Sequence, residues 1–137
     1  MTENKDMGFN KTCINWYPGH MAKTKREINE NIKLIDIVYE VIDSRLPFSS
    51  KIDDIDDIIK NKLRILIMTK KDLCDLKVTN KWIKYYENKG YKVICVDLNN
   101  NDDYKKIVNI TNELTKEIQN KRIANGLKEK EIKALVI

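Results

Sequence analysis

The stretch Arg64-Ile65-Leu66-Ile67-Met68-Thr69-Lys70-Lys71-Asp72-Leu73 constrains the fold more than any other part of the chain. Its apolar run, Ile65 to Met68, has no polar alternation. A strand with one wet face would alternate, so this one reads as covered on both faces, as in a parallel sheet flanked by helices. The polar tetrad Thr69 to Asp72 then falls at the strand's carboxyl end, the edge at which open α/β sheets bind ligands.

The surrounding pattern agrees with that architecture. Residues 1–12 read as a flexible tail and 13–137 as a single domain. Trp16-Tyr17-Pro18-Gly19-His20-Met21 marks an ordered turn. A helix is expected from Met21 to Leu34, with Lys23, Lys25 and Arg26 in its opening turns. Cations there oppose the helix dipole, which suits an external phosphate, although Glu27 and Glu30 could make it an ordinary solvated face. Ile35 to Ile42 is a β-branched strand ending at Asp43-Ser44-Arg45-Leu46-Pro47. Isoleucine spacing predicts a helix over Ile52 to Asn61, with Asp53, Asp54, Asp56 and Asp57 facing water rather than a metal.

Beyond the tetrad, Thr79 is expected to cap a helix to Lys89, with Trp82, Ile83 and Tyr86 inward and Gly90 as the stop. Tyr91 to Val96 is a strand, followed by the loop Asp97-Leu98-Asn99-Asn100-Asn101-Asp102. Asp102 or Asp103 is expected to cap a helix to about Arg122, with Ile107, Ile110, Leu114 and Ile118 inward. A basic, helix-like stretch follows Asn125-Gly126, and Ala134 to Ile137 closes as a strand. An apolar strand at the last residue suggests a fragment whose next segment begins after Ile137. Alternating strands and helices imply a parallel α/β sheet with right-handed crossovers.

Composition narrows the function classes. The chain has 137 residues, 42% hydrophobic and 34% charged, enough for one soluble core. A net charge of +5 is compatible with RNA or an anionic ligand. No apolar run is long enough to span a bilayer, and the polar N-terminus shows no signal peptide. Cys13, Cys74 and Cys95 are odd in number and form no Cys-x-x-Cys pair, so the economical reading is free thiols in a reducing cytoplasm and no sequence-evident metal site.

The tetrad suggests a specific chemistry. A carboxylate such as Asp72 accepts two hydrogen bonds from the N1–H and exocyclic amine of guanine. Adenine lacks that donor pair and would leave a desolvated carboxylate unpaired. The stem of Lys70 can lie along the base while its ammonium stays wet. The competing reading is a solvated loop with Asp72 capping the next helix.

Taken in order, Trp16-Tyr17-Pro18-Gly19-His20-Met21-Ala22-Lys23, Asp43-Ser44-Arg45-Leu46-Pro47 and Thr69-Lys70-Lys71-Asp72-Leu73 resemble the circularly permuted GTPases of the ribosome biogenesis GTPase A type, from about Ile14 to Ile137. The resemblance implies a three-layer P-loop-GTPase-like parallel sheet with flanking helices, incomplete because the motif order is rotated and the chain stops before the phosphate-binding loop. It implies GTP or GDP as ligand through the guanine moiety, with Thr69, Lys70 and Asp72 reading the base. Asp97-Leu98-Asn99 would be the partner loop that offers a backbone N–H to guanine O6. It implies Mg²⁺ and water positioning by His20 in the full-length enzyme only, and no hydrolysis by this fragment alone. The implied partners are the large ribosomal subunit and its rRNA, in the cytoplasm, with no membrane. The family usually has Asn where this chain has Thr69, Ala where it has Ser44, and Ala where it has Leu98. A different class is an RNA- or ribosome-binding α/β module without nucleotide binding, using Lys23, Lys25, Arg26 and the basic cluster from Lys121 to Lys133. A third is a structural α/β fragment with no ligand of its own.

Overall fold

The computed structural model describes residues 21–52 and 55–137. The tail, His20 and the aspartates at 53 and 54 lie outside the described residues. Residues 21–31 form helix α1, continued by a 3-10 turn Ile32–Leu34, and Ile28 is buried. This helix belongs to a compact unit ending at Lys33, and Leu34–Ile137 forms another.

The second unit contains β1 (Ile37–Asp43), α2 (Asp56–Ile59), β2 (Leu63–Thr69), α3 (Leu76–Asn88), β3 (Lys92–Cys95), α4 (Asn101–Ala124) and β4 (Ala134–Val136). The four strands form one parallel sheet in the order β3-β2-β1-β4. The chain steps outward from β1 to β3 and then returns to the other side of β1. The order therefore reverses between β1 and β4, where doubly wound sheets open a ligand crevice at their carboxyl ends.

Both faces of β2 are covered, as its unbroken apolar run requires. Ile65 and Ile67 pack with Ile37, Ile94 and Val96, and against Ile107, Ile110 and Leu114 of α4. Leu66 and Met68 pack with Ile42 and Tyr86, and against Trp82 and Ile83 of α3. Alternate residues of a single strand thus supply two separate cores.

Several boundaries depart from the sequence expectation. The helix expected over Ile52–Asn61 is one turn, and Asp56 is half-buried and ion-paired rather than simply facing water. Its carboxylate meets Lys51 Nζ at 3.3 Å and Arg64 at 3.1 Å. These cations also hold the buried Glu40, at 3.5 and 3.1 Å, and both lie over the Tyr91 ring. Helix α3 starts before Thr79 because Asp75 accepts from Lys77 N at 3.0 Å, and Asp is the better cap. Thr79 is instead buried one turn inside. Neither Asp102 nor Asp103 caps α4. Asn100 does, accepting from Asp102 N at 2.9 Å.

The basic stretch after Gly126 is extended rather than helical. Gln119 of α4 bonds both backbone groups of Lys130, at 2.8 and 3.1 Å, and Asp36 takes the Lys130 ammonium and the Lys133 N–H. These side-chain bonds replace the backbone bonds a helix would make and lead the chain into β4. Lys130 is therefore not available as a free RNA-binding cation.

Burial pushes the Glu40 carboxyl above its ordinary 4.5, against the opposing pull of Lys51 and Arg64. Lys51→Met is expected to destabilise the fold by about 3 kcal/mol at neutral pH, because it leaves a buried charge short of a partner. The folded state of the variant binds the Glu40 proton more tightly than the unfolded chain does. Its stability, measured by urea unfolding, should therefore fall as pH rises through the raised Glu40 value, and more steeply than in the parent.

Candidate functional site

The tetrad forms where β2 leaves the sheet. Thr69 is its last residue and is buried, and its hydroxyl donates to the Ile42 carbonyl at 3.0 Å. The Thr69 hydroxyl, expected to serve a ligand, gives its hydrogen to β1 and so binds β2 to β1. A hydroxyl is short enough to close on its neighbour strand.

Lys70 adopts the left-handed region, φ 59° and ψ 38°, the only non-glycine among the described residues to do so. Such a residue is strained and persists where the surroundings over-determine it. Here the Thr69 carbonyl accepts from Ser44 N at 3.0 Å on the β1 side, and Lys71 N donates to the Val96 carbonyl at 3.1 Å on the β3 side. Between these anchors the chain turns through the 3-10 segment Lys71–Leu73.

Asp43 organises the charges. Its carboxylate accepts Arg45 N at 2.9 Å, Arg45 Nε at 3.1 Å and the Arg45 guanidinium again at 2.8 Å, and it meets Lys70 Nζ at 3.2 Å. Bonding to Arg45, above all, and then to Lys70 holds this carboxyl far below the usual carboxylate range. Sequence assigns Arg45 no role. In the structure it orders the loop after β1 and competes with Lys70 for one acid.

Asp72 is exposed and makes no hydrogen bond or ion pair with another described residue. It does not cap α3, since Asp75 holds that position. Lys70, two residues before it in the tetrad, is already drawn to Asp43, and Arg45 is close enough for its charge to feel Asp72. The arrangement is a free carboxylate on a turn that is itself clamped at both ends.

On the adjacent strand, the loop Asp97-Leu98-Asn99 is also built by side chains. Asp97 N donates to Asp103 at 2.8 Å and Asn99 N to the Asp97 carboxylate at 2.9 Å. The Leu98 N–H has no partner among the described residues. Sequence reasoning misses Asp103 as the organiser of this loop, because its position six residues after Asp97 reads as a helix cap. A groove of about 320 Å³ also opens at this edge, lined by residues that include Ser44, Arg45, Pro47, Leu73 and Cys74.

Lys23, Lys25 and Arg26 lie on α1, in the unit ending at Lys33. Lys23 reaches Glu27 at 3.9 Å, an exposed pair of little energetic weight. His20 lies outside the described residues.

No protein-family model matches the sequence. Ribosome biogenesis GTPase A of Bacillus licheniformis is 43% identical over 124 residues, covering 90% of this chain and 44% of that protein. The chain is a relative of the ribosome biogenesis GTPase A proteins. Mitochondrial ribosome-associated GTPase 1 of Bos taurus is 31% identical over 100 residues, 72% of this chain and 30% of its own length. Among solved structures, GNP-bound YlqF from T. maritima superposes with a TM-score of 0.50 at 33% identity, over 55% of this chain and 31% of that one. The parallel α/β sheet is thus one this family uses. The chain spans less than half the length of these relatives.

The backbone bond from Asp97 is the main influence holding the Asp103 carboxyl below its ordinary 3.8. Order of the Asp97 loop should persist above pH 3.8 and be lost as pH falls through the lowered Asp103 value. Asp103→Asn is expected to speed exchange of the Asp97 amide about tenfold in native-state hydrogen exchange at neutral pH.

Proposed function

We propose that the carboxyl edge of β2 and β3 is the guanine-recognition part of a GTP-binding ribosome-assembly GTPase. The observation that carries this reading is the unpartnered Asp72 carboxylate on a clamped turn at the end of a parallel strand. Asp72 accepts the N1–H and exocyclic amine of guanine, and discriminates against adenine because adenine would leave it desolvated and unpaired. Lys70, with its ammonium on Asp43, lays its stem beside the base. Leu98 donates its free N–H to the guanine O6, and Asp97 and Asn99 shape the loop that presents it. β2 and β3 are neighbours in the sheet, so the two loops start roughly 5 Å apart. Thr69 acts through the sheet and not on the base.

Residues 13–137 in this reading belong to the base-reading half of a rotated GTPase domain. The reversal of strand order beside β1 is compatible with a phosphate site following β4. No glycine of the chain is followed by lysine, so the chain contains no Gly-x-x-x-x-Gly-Lys cradle and is expected not to hydrolyse GTP alone. Among the described residues no trio of histidine, cysteine or acidic side chains could hold Mg²⁺. The whole protein would act in the cytoplasm on the large ribosomal subunit and its rRNA, with His20 orienting water. Among the described residues no helix is long and apolar enough to cross a membrane.

Calorimetric titration tests the reading. GDP is expected to bind more tightly than ADP, and Asp72→Ala to weaken GDP by about tenfold or more, ~1.4 kcal/mol. Asp72→Asn should shift preference toward xanthosine diphosphate. Equal binding of GDP and ADP by the parent chain would refute the assignment.

A further inference from the structure

Helix α3 carries a more one-signed charge than helix α4. From Leu76 to Lys92 the chain has five lysines and one glutamate. Lys77, Lys81 and Lys84 recur at helical spacing and lie on one exposed stripe, opposite the face that buries Thr79 and Tyr86. None of the three ammonium groups has a partner among the described residues. Helix α4 differs: there Lys105 meets Asp102, Lys106 meets Asp103 and Lys121 meets Glu117. An ordinary solvated face mixes signs in that way, and the α3 stripe does not.

Aromatic rings adjoin the stripe. Trp82 meets Phe48 at 6.1 Å, Tyr85 at 5.3 Å edge-on and Tyr86 at 6.1 Å. The ends of this cluster, Phe48 and Tyr85, are 65% and 40% exposed. They border a cavity of about 230 Å³, whose lining also includes Lys51, Asp56 and Lys89. The Lys89 ammonium sits 4.6 Å over the Tyr85 ring.

We propose that this surface of α3 docks a single-stranded or looped RNA, with phosphates along Lys77, Lys81 and Lys84 and an unstacked base against Phe48 or Tyr85. An acidic protein would satisfy the lysines but leave the exposed Phe48 and Tyr85 rings unused. A duplex would present phosphates but no free base face. Looped RNA offers both in one ligand, through counterion release at the lysines and stacking at the rings. This surface is separate from the Asp72 edge and does not depend on nucleotide binding there.

Fluorescence anisotropy of a labelled single-stranded RNA of mixed sequence, over a salt series with the full chain, tests it. Lys77→Gln/Lys81→Gln/Lys84→Gln is expected to weaken binding and to flatten the log–log salt slope by about 2, at roughly 0.7 for each phosphate no longer neutralised. Phe48→Leu/Tyr85→Leu is expected to weaken binding about tenfold with the slope unchanged. The control Lys105→Gln/Lys116→Gln/Lys121→Gln on α4 should change little. Equal loss in the control overturns the proposal, as does equally tight binding of duplex RNA. Displacement of the RNA by poly-aspartate at matched charge would assign the stripe to an acidic protein and likewise overturn it. Should the aromatic variant not fold, the two lysine variants and the duplex still decide the outcome.

Discussion

The parallel pairing of β1 with β2 is the constraint on which the rest of the structure depends. Its register runs from Ile37 opposite Leu63 to Asp43 opposite Thr69. A shift of one residue would turn every side chain of one strand to the other face. Leu66 and Met68 would leave the α3 core, and Asp43 would no longer end beside the tetrad. The buried Thr69 hydroxyl, bonded to Ile42, fastens the pair where the two functional loops begin.

Carboxylates do much of the fastening elsewhere. Asp36, Asp43 and Asp103 each accept a backbone N–H from a segment that is neither helix nor central strand. Each is held below its ordinary range, although burial works the other way at all three. Ionised Asp36 guides the approach to β4, Asp43 the loop after β1, and Asp103 the loop after β3. Glu40 moves in the opposite direction because burial there outweighs the pull of Lys51 and Arg64, whereas at the other three the hydrogen bonds accepted outweigh burial. The sheet interior and its loops therefore respond to acid with opposite signs.

This fastening does not include Asp72. Within the tetrad, Lys70 bends back to Asp43 through a strained left-handed turn, and Asp72 faces solvent with no partner among the described residues. A free carboxylate on a rigid turn is preorganised for a ligand, since little ordering remains when the ligand arrives. Rigid neighbours and one unsatisfied group are both needed for that result. The Leu98 N–H stands in the same position on the next strand.

The amino-acid order by itself determined the fold class, the strand that carries the tetrad and the families of motifs along the chain. Those signals are local: an apolar run without alternation, helical spacing of isoleucines in α4, and Gly90, which the structure shows at positive φ, where helix α3 stops. Only the tertiary structure decided which acids are occupied. Asp43, Asp56, Asp72, Asp75 and Asp103 look alike in sequence. Asp72 has no partner among the described residues, Asp43 takes one from a distant segment in Lys70, and the rest are settled between near neighbours, as where Asp75 rather than Thr79 caps α3. The inward turn of Thr69 and the absence of helix after Gly126 have the same origin. Long-range hydrogen bonds outcompeted local preference there, and a one-dimensional pattern holds no record of which distant group arrives.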